Sequence, residues 1–456
     1  MCLSLRDAVL IRWASCYIYG VFMTDFELWL EKNNTIKSYA HFDRRISIKS
    51  VLSDIENPEK IAKHSFMPFI HYELKFQKYS KTSGRSTKIR QLYYSSHYDR
   101  CIYQYYAYLL NNHYNQTAKQ SSINDVAIAY RNNLKKNNIH FAKEAFDFIR
   151  GQENCVIIVG DFKDFFDTLE HAYLKKQICS ILRITTLPKD YYQVFKSITK
   201  FSYVDLIDIF NHYDLTDTEE NRRLLNNKPV ILPIQQLRAN KSMIKQNPHP
   251  YGIPQGSAIS AILSNIYMLE FDKQINNYVK SIGGKYLRYS DDTIFILPIK
   301  SFSDIQPIYQ FITHTISSIP NLTMQPSKTK VYTYSSEHLK NCDSIIGNAC
   351  DGKNIIDYLG FSFDGKTITI RDKTLSKYYY RTYKKARTIK IRNGVSPLGN
   401  KISCKNLYKT YSLKGYKIGQ GNFLTYVKKC KKIFGPTERV HIVINKHFGK
   451  IKKHLK

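Results

Sequence analysis

Apolar residues recur along the chain at two different spacings, and each spacing predicts a different kind of element. Over residues 97–150 they recur three and four positions apart, which is typical of amphipathic helices. Shorter runs at 155–160, 285–297 and 355–370 are rich in β-branched and aromatic residues, and these predict strands. The pattern therefore predicts an α+β domain flanked by mostly helical regions.

The first clear helix start lies at Thr24-Asp25, where a capping side chain precedes an amphipathic run. Residues 1–22 are apolar but interrupted by charged side chains, and we treat them as an uncertain N-terminal extension rather than a signal peptide. No run of about 18 apolar residues occurs, so we expect no membrane-spanning helix.

Charge changes the picture more than length does. The 456 residues include 69 Lys and Arg against 37 Asp and Glu, a net charge of +32. This excess indicates a polyanionic partner, with nucleic acid favoured over an anionic membrane surface. Residues 371–456, the basic block, hold 24 Lys and Arg and only two acids, Asp372 and Glu438. Within it, Lys377–Lys385 alternates cations with tyrosines, which suits phosphate contact and stacking, although a solvated basic helix is the alternative.

Cysteine and histidine patterns exclude several kinds of site. The nine cysteines form no CxxC pair, which argues against a disulfide framework and a zinc site. The 14 histidines form no HExxH signature. We therefore expect a protein of the reducing cytoplasm.

A carboxylate is predicted at the end of a buried strand. Cys155–Gly160 is almost wholly apolar and is followed at once by Asp161, so the strand would hold this side chain rigidly, as metal binding requires. Asp167–Glu170 resembles a capping box, so we predict that Asp167 caps a helix rather than binding a metal. Asp164 is predicted to lie on a solvated turn.

A second pair of acids lies in a predicted hairpin. Two β-prone runs within Lys285–Leu297 flank Ser290, Asp291 and Asp292. Aspartate is common in turns for conformational reasons alone, but a bound cation would offset the repulsion between adjacent carboxylates. Together with Asp161, the pair could hold two Mg²⁺ ions, or Mn²⁺, about 3.5–4 Å apart, activating a 3′-hydroxyl and stabilising a pyrophosphate leaving group.

Five motifs in the same order resemble those of reverse transcriptases. Asp161–Asp167 resembles their first palm motif, Tyr251–Ser257 the xGxPQG motif, and Tyr289–Asp292 the YxDD box. Pro326–Lys330 resembles the lysine-bearing fourth motif, and Tyr358–Phe361 the primer grip. Ser290 departs from the more usual alanine of the YxDD box.

The resemblance implies a right-hand polymerase of the α+β class, with an antiparallel palm sheet and mostly helical fingers and thumb. The implied regions are fingers over 23–150, a palm over 151–370 and a thumb over 371–456. Residues 205–248 are polar and without clear periodicity, and they are predicted to be an irregular insertion in the palm.

The resemblance also implies roles for single residues. Asp161 and Asp291 would be the principal metal ligands and Asp292 a third acid. Lys328 would protonate or neutralise the pyrophosphate, unless it is an ordinary surface lysine. Phe166 would be the steric gate against a ribose 2′-hydroxyl, or alternatively a core phenylalanine. The remaining implied contacts are Phe162, Gln255, Gly256, Arg90 and Arg131 for the nucleotide, and Tyr358, Leu359 and Gly360 for the primer grip.

The implied activity is Mg²⁺-dependent synthesis of DNA from dNTPs on an RNA template. No RNase H or Cys/His endonuclease pattern follows the basic block, and compact forms of this kind resemble retron and defence-associated (antiphage) bacterial enzymes. The polar insertion and the lack of an obvious retron thumb signature favour the defence-associated group. The implied partners are a cognate non-coding RNA and the DNA primer or product strand, without a membrane. Two alternatives stay open: an untemplated or protein-primed DNA polymerase, since 36 tyrosines offer priming hydroxyls, and a catalytically inert RNA-binding module.

Overall fold

The structure is a computed structural model that describes residues 23–80, 84–131, 133–348, 350–395, 399–401, 404–417, 421–444 and 447–455. The predicted extension, residues 1–22, lies outside the described residues. The strands are β1 Phe69–Ser80, β2 Gly84–Tyr94, β3 Asn154–Asp161, β4 Ser202–Asp205, β5 Lys245–Gln246, β6 Lys285–Tyr289, β7 Asp292–Pro298, β8 Lys330–Ser335, β9 His338–Asn341, β10 Ile356–Tyr358, β11 Phe361–Phe363 and β12 Ile368–Ile370.

Helices surround these strands and make up most of the rest of the fold. Those before β6 are α1 Asp25–Asn33, α2 Leu52–Ile55, α3 Pro58–Ala62, α4 His97–Gln120, α5 Asn138–Arg150, α6 Phe165–Thr168, α7 His171–Leu182, α8 Lys189–Thr199, α9 Leu206–His212, α10 Glu219–Asn227, α11 Ile234–Ala239, α12 Ser260–Tyr267 and α13 Leu269–Ser281. Those after it are α14 Ile305–Ser317, α15 Asp372–Ile391, α16 Cys404–Tyr411, α17 Leu413–Lys417, α18 Phe423–Phe434 and α19 His447–Leu455.

A five-stranded antiparallel sheet, in the order β6-β7-β3-β8-β9, separates two hydrophobic cores. Successive side chains of a strand point to opposite faces of its sheet. Accordingly Val156 and Ile158 pack with helices α4, α7 and α12–α14, whereas Cys155 and Ile157 pack with α5, α18 and strands β10–β12. Burial on both faces explains why β3 is a continuous apolar run.

Two smaller sheets flank the central one. Strands β1 and β2 form a long antiparallel hairpin, to which β4 adds in parallel and β5 at the edge. Strands β10–β12 form a three-stranded antiparallel sheet. These antiparallel sheets and the mostly helical surroundings confirm the α+β right-hand fold class. The boundaries of fingers, palm and thumb stay predictions.

The segment 205–248 is not irregular, which corrects one expectation from the sequence. It contains α9, α10 and α11, whose buried faces include Phe210, Leu225 and Leu237 and pack against Phe42 and Ile70 to form a separate small core. The three helices have only six to nine residues each, too short for the sequence to show a clear periodicity.

The first described helix begins where the sequence predicts, and the first helix of the basic block has one buried side. Thr24 caps α1, and Glu27 completes the capping box. In the basic block, Tyr378, Ala386 and Ile389 form the buried side of α15. Among the helices of the described residues, none combines the length and the apolar character that crossing a bilayer requires.

Candidate active site

Two of the predicted acids face each other across neighbouring strands. Asp161 is the last residue of β3 and is paired with Asp292, the first residue of β7. The preceding Gly160 lies in close contact with its neighbours: a Cβ there would lie 2.2 Å from Cε at the flexible end of Met324 and 3.3 Å from Thr293 Oγ1, so Met324 would have to shift. Glycine thus lets the strand end lie close to its neighbours, with Asp161 at the edge of the sheet.

The third acid lies in the turn between β6 and β7. Ser290 has a φ of 62°, the left-handed conformation that a two-residue hairpin needs. The carbonyl of the next residue, Asp291, accepts a hydrogen bond from the Phe162 amide at 3.2 Å. This bond ties the turn to the residue after Asp161, so Asp161, Asp291 and Asp292 all lie at one edge of the central sheet.

The proximity of the acids raises the pKa values of two of them. Burial raises the pKa of Asp291, and the charge of Asp161 raises it further. Loss of hydration, followed by repulsion from Asp291 and Asp161, raises the pKa of Asp292 to about 6. A cation bound among them would relieve this repulsion.

Lys328 supplies a positive charge at this place. Its Nζ donates to Asp161 Oδ2 at 2.6 Å, while Asp161 Oδ1 is buried and has no hydrogen-bond partner among the described residues. As the side chains stand, the described residues contain no group of three or more His, Cys, Asp or Glu positioned to hold a metal ion. The donor chemistry nevertheless fits a hard cation, since it is made of carboxylate oxygens, one of them without a donor.

A buried ion pair supports the β6–β7 hairpin, and it was not among the predictions from the sequence. Arg288, fully buried on β6, donates from Nε and Nη2 to the two carboxylate oxygens of Asp272 on α13, at 2.8 and 2.5 Å. Its Nη1 reaches the Ser290 carbonyl at 3.1 Å and Asn265 Oδ1 at 3.2 Å. An arginine inside an otherwise apolar and aromatic strand was the available signal, because buried charges need partners.

Ser290 has a second contact, to the segment between α4 and α5. The Tyr130 hydroxyl donates to Ser290 Oγ at 3.2 Å, and Tyr130 itself has a φ of 62°. The bond explains what a serine can do at this position of the YxDD box: its hydroxyl links the catalytic turn to a neighbouring segment, which alanine could not do.

The loop with Gln255 and Gly256 lies between the β1–β2 hairpin and the first palm motif. The Tyr93 amide donates to the Gln255 carbonyl at 2.9 Å, and a Cβ at Gly256 would lie only 2.6 Å from the Tyr93 carbonyl oxygen. The Ile253 amide donates to the Phe166 carbonyl at 2.9 Å. The partly buried Phe166 is therefore held beside this loop, and its role as a steric gate stays a prediction.

Two residues that were predicted to contact the nucleotide are buried in the protein. Phe162 is only 2% exposed and stacks on Phe165 in the core, so its ring does not face a nucleotide. Arg131 is also buried, and its guanidinium donates to Asn115 Oδ1 at 2.9 Å and to Asn124 Oδ1 at 2.6 Å. Its donors are engaged within the protein, which corrects the expectation that Arg131 grips a triphosphate. Arg90 lies exposed on β2, with its guanidinium 5.7 Å from the Phe76 ring centre.

The predicted cap at Asp167 is wrong. Glu170 caps α7 instead, accepting from the Ala172 and Tyr173 amides, while Asp167 lies within α6. Asp164 precedes α6 with a φ of 45°, as expected of a turn residue. Burial, together with the charge of Asp164, raises the pKa of Asp167 to about 6.

The predicted primer grip lies next to Asp292. Tyr358, Leu359 and Gly360 line a cavity of about 300 Å³, and Tyr289 and Asp292 line its other side. The turn requires left-handed backbone at Leu359, with a φ of 48°, and at Gly360, with a φ of 92°. The residues of the predicted grip and of the β6–β7 hairpin thus line one cavity.

Comparison with known proteins gives one family. The family described as "Reverse transcriptase (RNA-dependent DNA polymerase)" matches residues 79–363. Among curated protein sequences nothing matches. Solved structures that resemble the chain include a truncated apo telomerase from Candida tropicalis, at 14% identity and a TM-score of 0.40, covering 81% of this chain and 70% of that one. A Candida albicans telomerase with a fragment of telomeric RNA has 14% identity and a TM-score of 0.38, covering 100% and 76%. These TM-scores are too low to add to the family match.

Proposed function

The chain belongs to the reverse transcriptase family, and from this premise we propose that Asp161, Asp291 and Asp292 bind two divalent cations, Mg²⁺ or Mn²⁺, for nucleotidyl transfer. The enzyme is an RNA-directed DNA polymerase. The observation that carries the metal proposal is the pairing of Asp161 with Asp292 across β3 and β7, with Asp291 adjacent in the turn. The three carboxylates repel one another, and a bound cation would offset that repulsion.

Bound there, the cations would lower the pKa of the primer 3′-hydroxyl and stabilise the charge that develops on the leaving pyrophosphate. The residues of the chain position the reactants. Asp161 and Asp292 are fixed by the strand ladder and Asp291 by the bond from Phe162. Lys328, whose Nζ lies at the edge of this group, would supply a proton or a positive charge to the pyrophosphate oxygen.

We propose that the nucleotide lies between Phe166 and the loop of Gln255 and Gly256. The bulk of the Phe166 ring would exclude a ribose 2′-hydroxyl and favour dNTPs. The primer 3′ end would enter the cavity between Asp292 and the Tyr358–Gly360 turn.

The basic block would bind the template–primer duplex. On α15, Lys377, Arg381 and Lys384 are exposed, whereas Tyr378 and Ala386 are buried. Cations at this helical spacing can follow a phosphate backbone. This proposal gives residues 23–150, 151–370 and 371–456 the roles of fingers, palm and thumb.

The test is primer extension by the purified chain on a DNA-primed RNA with Mg²⁺ and dNTPs. We expect incorporation by the wild type and none above background by Asp291→Asn. Asp147→Asn, a change of an exposed acid on α5, is the matched control and should keep activity. Incorporation by Asp291→Asn at the wild-type rate would contradict the assignment.

At the level of biology, we propose a bacterial enzyme of the retron or defence-associated kind that copies a dedicated non-coding RNA in the cytoplasm. The motif resemblance is the support for this proposal. Nucleic acids that co-purify with the chain from its native locus, with and without phage, provide the test. One discrete RNA with complementary DNA only in the active enzyme supports the proposal, whereas DNA without a complementary template would indicate untemplated synthesis.

A further inference from the structure

A second cavity, of about 320 Å³, lies between the β1–β2 hairpin and the helices of segment 205–248. Its aromatic walls are Tyr39, Tyr72 and Tyr94, and Arg222 and Asn226 of α10 also line it. A volume of this size is typical of small-ligand pockets. None of the residues in the predicted polymerase site lines it.

The cavity lies against one face of the sheet at β2, whereas the loop of Gln255 bonds to the free edge of that strand. Tyr93 is joined to the Gln255 carbonyl and packs against Phe201 and Tyr203. The next residue, Tyr94, packs on the other face, with ring centres 5.0 Å from Tyr39 and 5.9 Å from Tyr72. A ligand in this cavity would therefore not compete for space with a nucleotide at Gln255.

The aromatic walls are held in place before any ligand binds. The Tyr39 hydroxyl donates to the Ser95 carbonyl at 3.0 Å, and its ring stacks on His97 with the centres 4.5 Å apart. Burial raises the pKa of Tyr39 to about 12, so this wall stays neutral at physiological pH. Rigid aromatic rings lose little entropy when a flat ligand stacks on them.

The polar side of the cavity offers hydrogen-bond donors. Arg222 is fixed by two bonds to Asp217, from Nε at 2.5 Å and from Nη2 at 2.8 Å. Asn226 Oδ1 accepts from the Ala40 amide at 3.0 Å, which leaves its NH₂ group facing other partners. Among the described residues, Arg222 Nη1 and Asn226 Nδ2 make no hydrogen bond. Both side chains are exposed, so these donors can exchange water for the acceptors of a ligand.

We propose that this cavity binds an unpaired base of an RNA strand, stacked on the tyrosines with its acceptor edge toward Arg222 and Asn226. Bases that are flipped out of a strand are recognised through such a combination of stacking and edge contacts. A strand is favoured over a free nucleotide because the proposed function supplies an RNA partner. Lys75, whose largely exposed side chain pairs with Glu73, lies near this wall and could contact a flanking phosphate, since an exposed ion pair contributes little stability. The inference rests on the proposed function, because it gives the RNA partner a second point of attachment.

Photo-cross-linking tests the proposal directly. The probe is a single-stranded RNA of about 12 nucleotides that carries 4-thiouridine, and the cross-linked peptides are mapped by mass spectrometry. We expect adducts on the strands that carry Tyr72 and Tyr94. Tyr72→Ala should lower their yield about 5-fold or more, the range expected for loss of one stacked base, and Tyr72→Phe should retain it. Arg222→Ala, a change at an exposed position, should also lower the yield without affecting the fold.

The outcomes separate this inference from the proposed function. Loss of the adducts when free nucleotides at millimolar concentration are added before irradiation, but not when unlabelled RNA is added, would replace the strand with a nucleotide ligand and overturn the proposal. Adducts in the basic block alone would overturn it as well. Primer extension by the wild type is measured separately, so a polymerase that works while its cavity stays unlabelled contradicts only the inference.

Discussion

The β6–β7 hairpin and the basic block differ in where their charged side chains lie. At the hairpin, Arg288 is fully buried and paired with Asp272 in the core. In the basic block, Lys377, Arg381 and Lys384 are exposed on α15. Charges in the hairpin are few and fixed, whereas those of the block are many and solvated.

The difference indicates that the buried charges position the turn, whereas the exposed charges attract a polyanion. A buried charge is costly unless its partners are correctly placed, so the Arg288 network fixes the geometry of the turn. Exposed cations attract a polyanion through their sum, and each contributes little to the shape of the site. Changes in the hairpin should therefore alter kcat or stability, and changes in the block should alter KM and its salt dependence.

The largest expected effect is at Asp161. Asp161→Asn should lower kcat for dNTP incorporation by about a thousandfold, equivalent to about 4 kcal/mol, because the proposed cation site loses a charged ligand. Single-turnover extension on a primed RNA measures it. Lys163→Gln, at an exposed position two residues away, is the control and should keep kcat within about twofold. An Asp161→Asn enzyme with near-normal kcat would remove Asp161 from the chemistry.

Removing Arg288 should reduce stability most. Arg288→Met leaves Asp272 charged and unpaired in the core, and we expect a loss of about 3–5 kcal/mol in the free energy of unfolding. The double change Arg288→Met with Asp272→Leu should recover much of that loss but leave kcat low, since the Ser290 carbonyl still lacks its donor.

Urea unfolding and primer extension on the same preparations measure both effects. A double variant that regains kcat together with stability would show that the network serves the fold alone. That result would also weaken the contrast between the two regions.

The sequence indicated the three acids but not the buried ion pair that supports their turn. Asp161, Asp291 and Asp292 could be predicted because they lie in short motifs that resemble those of reverse transcriptases, at a strand end and a turn that the local pattern indicates. Their role as metal ligands is the proposal made above. The partnership of Arg288 with Asp272 joins a strand to a helix 16 positions earlier, and only the folded chain shows that contact.

The predictions that failed depend on side-chain direction and on short helices, which a local sequence pattern shows poorly. Phe162 and Arg131 were assigned to the nucleotide by motif position, but side-chain direction decided that both are buried. The helices within 205–248 were missed because short helices with mostly polar surfaces show little periodicity. In the basic block, by contrast, the sequence predicted the charge correctly but could not show which cations lie on the exposed side of α15.

In the basic block the expected effect is smaller and depends on salt. Changing Lys377, Arg381 and Lys384 together to Gln should raise KM for primed RNA about tenfold near physiological salt and leave kcat unchanged. The slope of log affinity against log salt should become shallower by about 2–3, the number expected for three lost phosphate contacts. Filter binding over a range of salt concentrations measures the slope.

The matched control neutralises three exposed lysines of other elements, Lys32, Lys189 and Lys241. An equal loss of affinity in that control would mean that net charge alone matters. A fall in kcat in the α15 variant would show that this helix also positions the primer.

A smaller effect concerns pH and the cation site. Because the folded chain raises the pKa of Asp292 to about 6, this group favours the fold below its unfolded value near 4, and that contribution is lost as pH rises through about 6. The metal-free protein should therefore gain a few degrees in Tm at pH 7 when Mg²⁺ is added, and little at pH 5. Asp292→Asn should reduce the gain. Equal gains at both pH values would argue against Asp292 as a ligand.

The smallest expected effect is the bond between the Tyr130 hydroxyl and Ser290 Oγ. Tyr130→Phe and Ser290→Ala should each lower kcat about two- to fivefold, since a neutral hydrogen bond contributes about 0.5–1.5 kcal/mol. The double variant should be no worse than either single one, because the same bond is lost only once. Additive losses would mean that the two side chains act separately, and Ser290 would then be a tolerated replacement for alanine. Non-additivity would extend the fixed part of the molecule from the buried Arg288 pair to the surface of the turn.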